Sequence, residues 1–207
     1  MAFIDTIHPH DADGDVRAMY ARQQDTYGYV PNYAKVFSHR PELMARWAAL
    51  QSGIRKHVDP RRFELLSFTA AHVLGSSACA LAHGELLTRF VSADDVRAIA
   101  ADALDCCGLP PNEVSMVRFA RKIARDASAV TAGDVAELER HGFSSAEIFD
   151  IVAVVAARAF FTKLLDGLGV EPDNRFQAME ETFRRLLTVG RPIDFRAPER
   201  MPMETCR

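Results

Sequence analysis

Between Arg61 and Glu85 the chain reads R-R-F-E-L-L-S-F-T-A-A-H-V-L-G-S-S-A-C-A-L-A-H-G-E, an apolar helical stretch that carries an acid, a cysteine and a histidine: Glu64, Cys79 and His83. A thiol, an imidazole and a carboxylate make up a relay for nucleophilic chemistry, in which the base takes the thiol proton and the acid orients the base. His83 follows Cys79 by four residues, so on one helix the two share a face. Glu64 lies fifteen residues before Cys79, which on an unbroken helix is a separation of about 22 Å. The relay therefore needs the segment to fold back on itself.

Gly75 supplies the break. A glycine followed by Ser76 and Ser77 reads as the end of one helix and the cap of the next. In the resulting helical hairpin Glu64 lies level with His83, with Cys79 nearer the turn. With Ser76 as the N-cap, its hydroxyl is expected to accept from the backbone N–H of Cys79. Cys79 then occupies the first helical turn, where free N–H groups and the helix dipole favour a thiolate. Against this stands the tendency of unpaired cysteines to be inert core residues.

An acid, eleven residues, and then C-x-x-C-x-x-x-H is the active-site pattern of the alkylhydroperoxidase D-like proteins, the carboxymuconolactone decarboxylase superfamily. Glu64, Ser76, Cys79 and His83 resemble it at the same spacing. G-Y-V-P-N at 28–32, H-R-P-E-L at 39–43, F-A-R-K at 119–122 and G-F-S at 142–144 resemble its longer, peroxidase-related branch, so the likeness covers about residues 15–190. It implies an all-α helical bundle, homo-oligomeric assembly as dimers, trimers or hexamers, and peroxidase activity with electrons drawn from a thiol reductant or a redox protein. The sequence departs from the pattern at the chemistry. Ser76 stands where the family has its first cysteine, and Ala78 where well-known members carry a further histidine. A disulfide between the two motif positions cannot form.

Other side chains qualify as supporting groups. Ser76 keeps the cap of the helix while deleting a redox partner, or donates to a Cys79 thiolate. His72, four residues before Ser76, is a supporting candidate and otherwise a core histidine. Cys106 and Cys107 are the candidate resolving thiols, and Cys206 in the tail is incidental. His8, His10, Asp11, Asp13 and Asp15 form a polar cluster. An EF-hand loop starting at Asp11 would need glycine in place of Val16 and glutamate in place of Arg22. The cluster reads as a flexible, solvated start, and no metal or cofactor is assigned.

The elements that must hold these groups are all helical. Helices are expected at 15–26, 33–38 and 42–56, then from Pro60 behind an Asp59 cap. Ser92 with Asp95, Thr131 with Asp134, and Ser144 with Glu147 each form a capping box. Asn112 is expected to cap the helix after Gly108-Leu-Pro-Pro. No stretch alternates like a strand. Shifting the chain by 83 residues lays Glu64 on Glu147 and His83 on Asp166, which reads as a degenerate repeat of the hairpin. The organisation is one domain: an N-terminal helical extension (1–58), the core hairpin (59–126), the degenerate repeat (131–189) and an extended arm (190–207). Trp47 reads as core or subunit interface, and Ala156, Ala157, Phe160 and Phe161 as subunit contacts.

The totals remove whole classes of function. With 207 residues, 48% hydrophobic and a net charge of −3, the chain has an ordinary soluble composition and no electrostatic case for nucleic acid or an acidic membrane. The N-terminus lacks the basic and apolar regions of a signal peptide, and the four cysteines do not form a secreted framework, so a cytoplasmic location with reduced thiols is expected. Three readings follow. In the first, Cys79 attacks a hydroperoxide, His83 and Glu64 manage the proton, and an external thiol resolves the product. In the second, the enzyme is a decarboxylase-like lyase using His83 and Glu64 as acid and base. The third is an oligomeric scaffold or small-molecule binder that retains an unused site.

Overall fold

A computed structural model describes residues 2–202. They form ten α-helices and no strand, as the sequence implies: α1 (Gly14–Tyr27), α2 (Asn32–Val36), α3 (Pro41–Arg55), α4 (Pro60–Val73), α5 (Ser77–Leu87), α6 (Ala93–Ala100), α7 (Pro111–Asp126), α8 (Ala132–Arg140), α9 (Ser145–Gly167) and α10 (Glu181–Leu187). The bundle is built around α4, which packs against α5, α7 and α9. Phe63, Leu65, Leu66, Phe68, Ala70 and Ala71 are all buried on it. A helix enclosed on this many sides has no polar stripe to show in its sequence.

Its ends are set by local chemistry. Asp59 accepts from the N–H groups of Arg61 at 3.0 Å and Arg62 at 3.2 Å, and Pro60 occupies the first helical position. At the far end Gly75 takes φ +73°, and the N–H of Ser76 donates to the Ala71 carbonyl at 3.0 Å. That is the left-handed stop expected of a glycine. It reverses the chain within a few residues and lays α5 along α4. The closeness of the two helices shows at Gly84, where a Cβ would meet Leu187 Cδ1 at 2.6 Å and Phe68 Cε2 at 3.2 Å.

Four expectations change. The N-terminal stretch is pinned rather than loose: Tyr20 Oη donates to the Ile7 carbonyl at 2.8 Å, and His39 Nε2 meets the Asp5 carbonyl at 2.7 Å. Residues Pro9–Asp11 form a 3-10 turn. Asn112 does not cap α7, which starts one residue before it with Pro110 as the N-cap. The capping boxes at Ser92, Thr131 and Ser144 all form. The 83-residue echo does not fold as a second hairpin, because its turn falls inside α9, which runs unbroken from Ser145 to Gly167. What the echo detected is a shared apolar pattern. The face of α9 expected to meet other subunits also splits: Ala157 and Phe161 are buried, while Ala156 and Phe160 are exposed.

The C-terminal arm lies extended against the body. Asp194 N–H donates to the Pro172 carbonyl at 2.9 Å, and Val30 N–H to the Glu199 carbonyl at 3.0 Å. Ser77 Oγ accepts from Gly190 N–H at 2.7 Å, tying the arm to the start of α5. Cys206 lies outside the described residues. Among those described, no helix is long and apolar enough to cross a membrane.

Candidate active site

The hairpin brings Glu64 on α4 against His83 on α5, with Glu64 Oε2 2.6 Å from His83 Nδ1. Both are buried, at 5% and 8% exposure, so the pair sits in a medium that rewards a hydrogen bond and penalises an isolated charge. Arg55, at the end of α3, donates from Nη2 to Glu64 Oε1 at 3.1 Å while its guanidinium covers the Phe63 ring at 4.2 Å. Burial pushes the Glu64 carboxyl up, but the His83 hydrogen bond and the charges of Arg55 and Arg158 outweigh it and leave the group below its ordinary value. Burial and the charge of Arg158 push His83 down to about 4 against the pull of Glu64. Near neutrality the pair is therefore a carboxylate and a neutral imidazole. The carboxylate can only accept, so Nδ1 carries the proton and Nε2 is left with its lone pair. No hydrogen bond engages Nε2 among the described residues, and the ring lines a cavity.

Cys79 lies one turn earlier on α5 and is buried, at 4% exposure. The contact expected with His83 is not the one it makes. Its sulfur accepts from Arg158 Nη1 at 3.8 Å, from α9 across the bundle. Burial pushes the thiol up, and Arg158 and Ser76 pull it back only in part. Ser76 holds the N-cap position, yet its hydroxyl does not cap α5 and makes no hydrogen bond of ordinary geometry. It instead acts on the Cys79 thiol and on Asp166.

These groups meet in a cavity of about 860 Å³ lined by Cys79, His83, Arg55 and Arg158 together with an aromatic wall. In that wall Trp47 stacks on Phe161 with centroids 4.9 Å apart, and Tyr33 meets Phe161 edge-on at 5.6 Å. Trp47 therefore belongs to the cavity as well as the core. Tyr27 and Tyr29 stand further along it. The remaining candidates lie elsewhere. His72 packs on Phe68 at 5.7 Å, feels Arg121, and does not line the cavity. Cys107 donates to the Leu104 carbonyl at 2.9 Å and lines a separate cavity beside α7 and α8, and Cys106 is exposed. Neither shares the cavity of Cys79. Among the described residues no three His, Cys, Asp or Glu side chains are grouped to hold a metal ion.

Sequence reasoning missed Arg158 as a site residue. Its signal was a charge inside the most apolar run of the chain, 148–161, where a lone cation needs a reason.

Comparison with known proteins agrees with this architecture. A peroxidase-related protein from Ralstonia eutropha JMP134 with an alkylhydroperoxidase AhpD core superposes with a TM-score of 0.72 at 21% identity, over 92% of this chain and 98% of that one. A peroxidase-related protein from Silicibacter sp. TM1040 gives 0.74 at 17% identity, over 86% and 95%. The debrominase Bmp8, as a Cys-to-Ala variant in complex with 2,3,4-tribromopyrrole, gives 0.64 at 16% identity, over 83% and 89%. At these identities the likeness is one of fold. No curated protein matches the sequence. The model of the carboxymuconolactone decarboxylase family matches residues 41–122, the segment that contains Glu64, Cys79 and His83. Residues 41–122 thus match the carboxymuconolactone decarboxylase family, and the fold of the chain is that of the AhpD-like, peroxidase-related proteins.

Proposed function

We propose that the protein is a thiol-dependent oxidoreductase of the peroxidase kind, with Cys79 as nucleophile. The observation that carries the reading is the meeting, in one cavity, of a first-turn cysteine held by a guanidinium and a neutral histidine oriented by a carboxylate. His83 Nε2 takes the thiol proton, and Arg158 stabilises the charge that develops on sulfur. The sulfur attacks one peroxide oxygen, the S–O bond forms as the O–O bond breaks, and the leaving alkoxide takes the proton from His83. The products are an alcohol and a sulfenic acid at Cys79. An external thiol then condenses with the sulfenic acid, releasing water, and a second thiol reduces the mixed disulfide. Ser76 explains the need for an outside reductant.

The test is to expose the protein to cumene hydroperoxide in the presence of dimedone and map the adducts by mass spectrometry. The expected result is an adduct at Cys79 exceeding that at exposed Cys106, with catalytic hydroperoxide consumption when dithiothreitol is present and none in Cys79→Ala. Labelling of Cys106 alone would end the redox reading.

A second reading has its own support. The Glu64–His83 pair is complete without the thiol, whose hydrogen bond goes to Arg158. A lyase acting through His83 as acid or base would keep its activity in Cys79→Ala and lose it in His83→Ala. For assembly, the exposed apolar row of Phe149, Val152 and Phe160 on α9 suits contact with a second copy.

A further inference from the structure

Arg158 is only 5% exposed, and no carboxylate forms an ion pair with it among the described residues. Its Nε is buried without a hydrogen-bond partner, and Nη1 has only the long contact to a thiol. A buried guanidinium in this state is costly, since the interior offers little to replace its hydration. Several other charged groups on the cavity wall have partners. Arg55 is paired with Glu64 at 3.1 Å, Arg175 with Glu85 at 2.7 Å, and Asp173 accepts from Asn32 N–H at 2.7 Å. Asp166 also acts on the thiol through its charge, but burial raises its own carboxyl and Ser76 and the charge of Arg191 offset this only in part. Glu64, which does not itself line the cavity, is hydrogen-bonded to Arg55 and acts on Arg158 only through its charge, so Arg158 has no paired anion of its own among the described residues. Beside Arg158 rises the wall of Phe161, Trp47 and Tyr33, flat rings in a space of about 860 Å³, well within the size range of a small-molecule site.

We propose that the cavity takes a small organic anion with a flat apolar body, whose carboxylate or similar charged group pairs with Arg158 while its body lies along the Trp47–Phe161 wall. This names the substrate class of the site described above, and the ligand's role as substrate rests on that reading. The anion gives Arg158 a paired charge, and the wall replaces the water that its apolar face gives up. Arg158 then serves both sites at once, placing the ligand next to the sulfur it already touches.

Trp47 is the single tryptophan of the chain, so its fluorescence reports on this cavity without a label. The experiment titrates the intact protein with benzoate and with neutral benzamide, following Trp47 emission. Saturable quenching by benzoate is expected, with benzamide weaker by about tenfold or more. Arg158→Gln should bring benzoate to the level of benzamide, and Arg158→Lys should restore part of the preference. Equal binding of benzoate and benzamide, absence of a saturable signal, or an undiminished preference in folded Arg158→Gln would overturn the proposal. Should neither variant fold, the wild type still decides: benzoate must slow iodoacetamide labelling of Cys79 where benzamide does not, and equal protection overturns the assignment. These readouts need no turnover. Benzoate binding beside a Cys79 inert to hydroperoxide leaves this inference standing and removes the peroxidase reading; the reverse pattern does the opposite.

Discussion

At the scale of single residues, the decisive contact is Arg158 on Cys79, between groups 79 positions apart in sequence. Because burial pushes the thiol up and the guanidinium only partly offsets this, Cys79 should be a slow nucleophile toward generic alkylators near neutrality. Its iodoacetamide labelling, followed by mass spectrometry against pH, should rise at higher pH than that of a free thiol such as N-acetylcysteine, and higher still in Arg158→Gln. A Cys79 labelling midpoint at or below that of the free thiol would contradict the geometry. Glu64, Cys79 and His83 were legible from spacing because each lies within a helix turn or one hairpin of the next. Arg158 was not, since nothing local in α9 says that its neighbour across the bundle is a sulfur. The aromatic wall was hidden for the same reason: Tyr33, Trp47 and Phe161 come from three separate helices.

At the scale of elements, the turn at Gly75 does most to make the site. Cap chemistry made it readable, as it did the starts of α4, α6, α8 and α9. Cap chemistry failed at Asn112 and Ser76, where the residue type was right but the hydroxyl or amide found other neighbours. The Ser76 hydroxyl acts on the Cys79 thiol three residues on, from the N-cap to the first turn of α5. Ser76→Cys should therefore close a disulfide with Cys79 on mild oxidation, read as loss of both thiols to alkylation and recovery with dithiothreitol. Two freely alkylated cysteines after oxidation would show that the turn holds these side chains apart. The hairpin also depends on close helix packing at Gly84. Gly84→Ala places a methyl against Leu187 and Phe68 and should cost about 1–3 kcal/mol in urea unfolding. An unchanged midpoint would mean that α10 yields without loss.

At the scale of the whole molecule, the buried pair couples the site to the stability of the bundle. The folded His83 titrates at about 4, below the ordinary 6.5, so between those values the unfolded chain binds a proton that the folded chain refuses. Stability is then fully present above about pH 6.5 and falls as pH drops toward 4. The contribution from His83 amounts to about 3 kcal/mol across that window, a sizeable share of the 5–15 kcal/mol typical of a domain. Glu64, also lowered, acts in the same direction further down: its stabilisation is present above the ordinary carboxylate range and is lost as pH falls through its folded value. Arg55 and Arg158, which face the pair from α3 and α9, keep their charge throughout and so sharpen the penalty for adding a proton. His72 is lowered as well, by burial beside Arg121, and would add to the same slope. A variant separates the two. His83→Gln keeps a donor for Glu64 but cannot titrate, so urea midpoints measured from pH 7 to 4.5 should fall steeply in the wild type and less steeply in the variant. Parallel slopes in the two proteins would assign the acid sensitivity to His72 and would mean that the His83–Glu64 pair is not the neutral-imidazole, carboxylate state on which the proposed proton transfer from Cys79 depends.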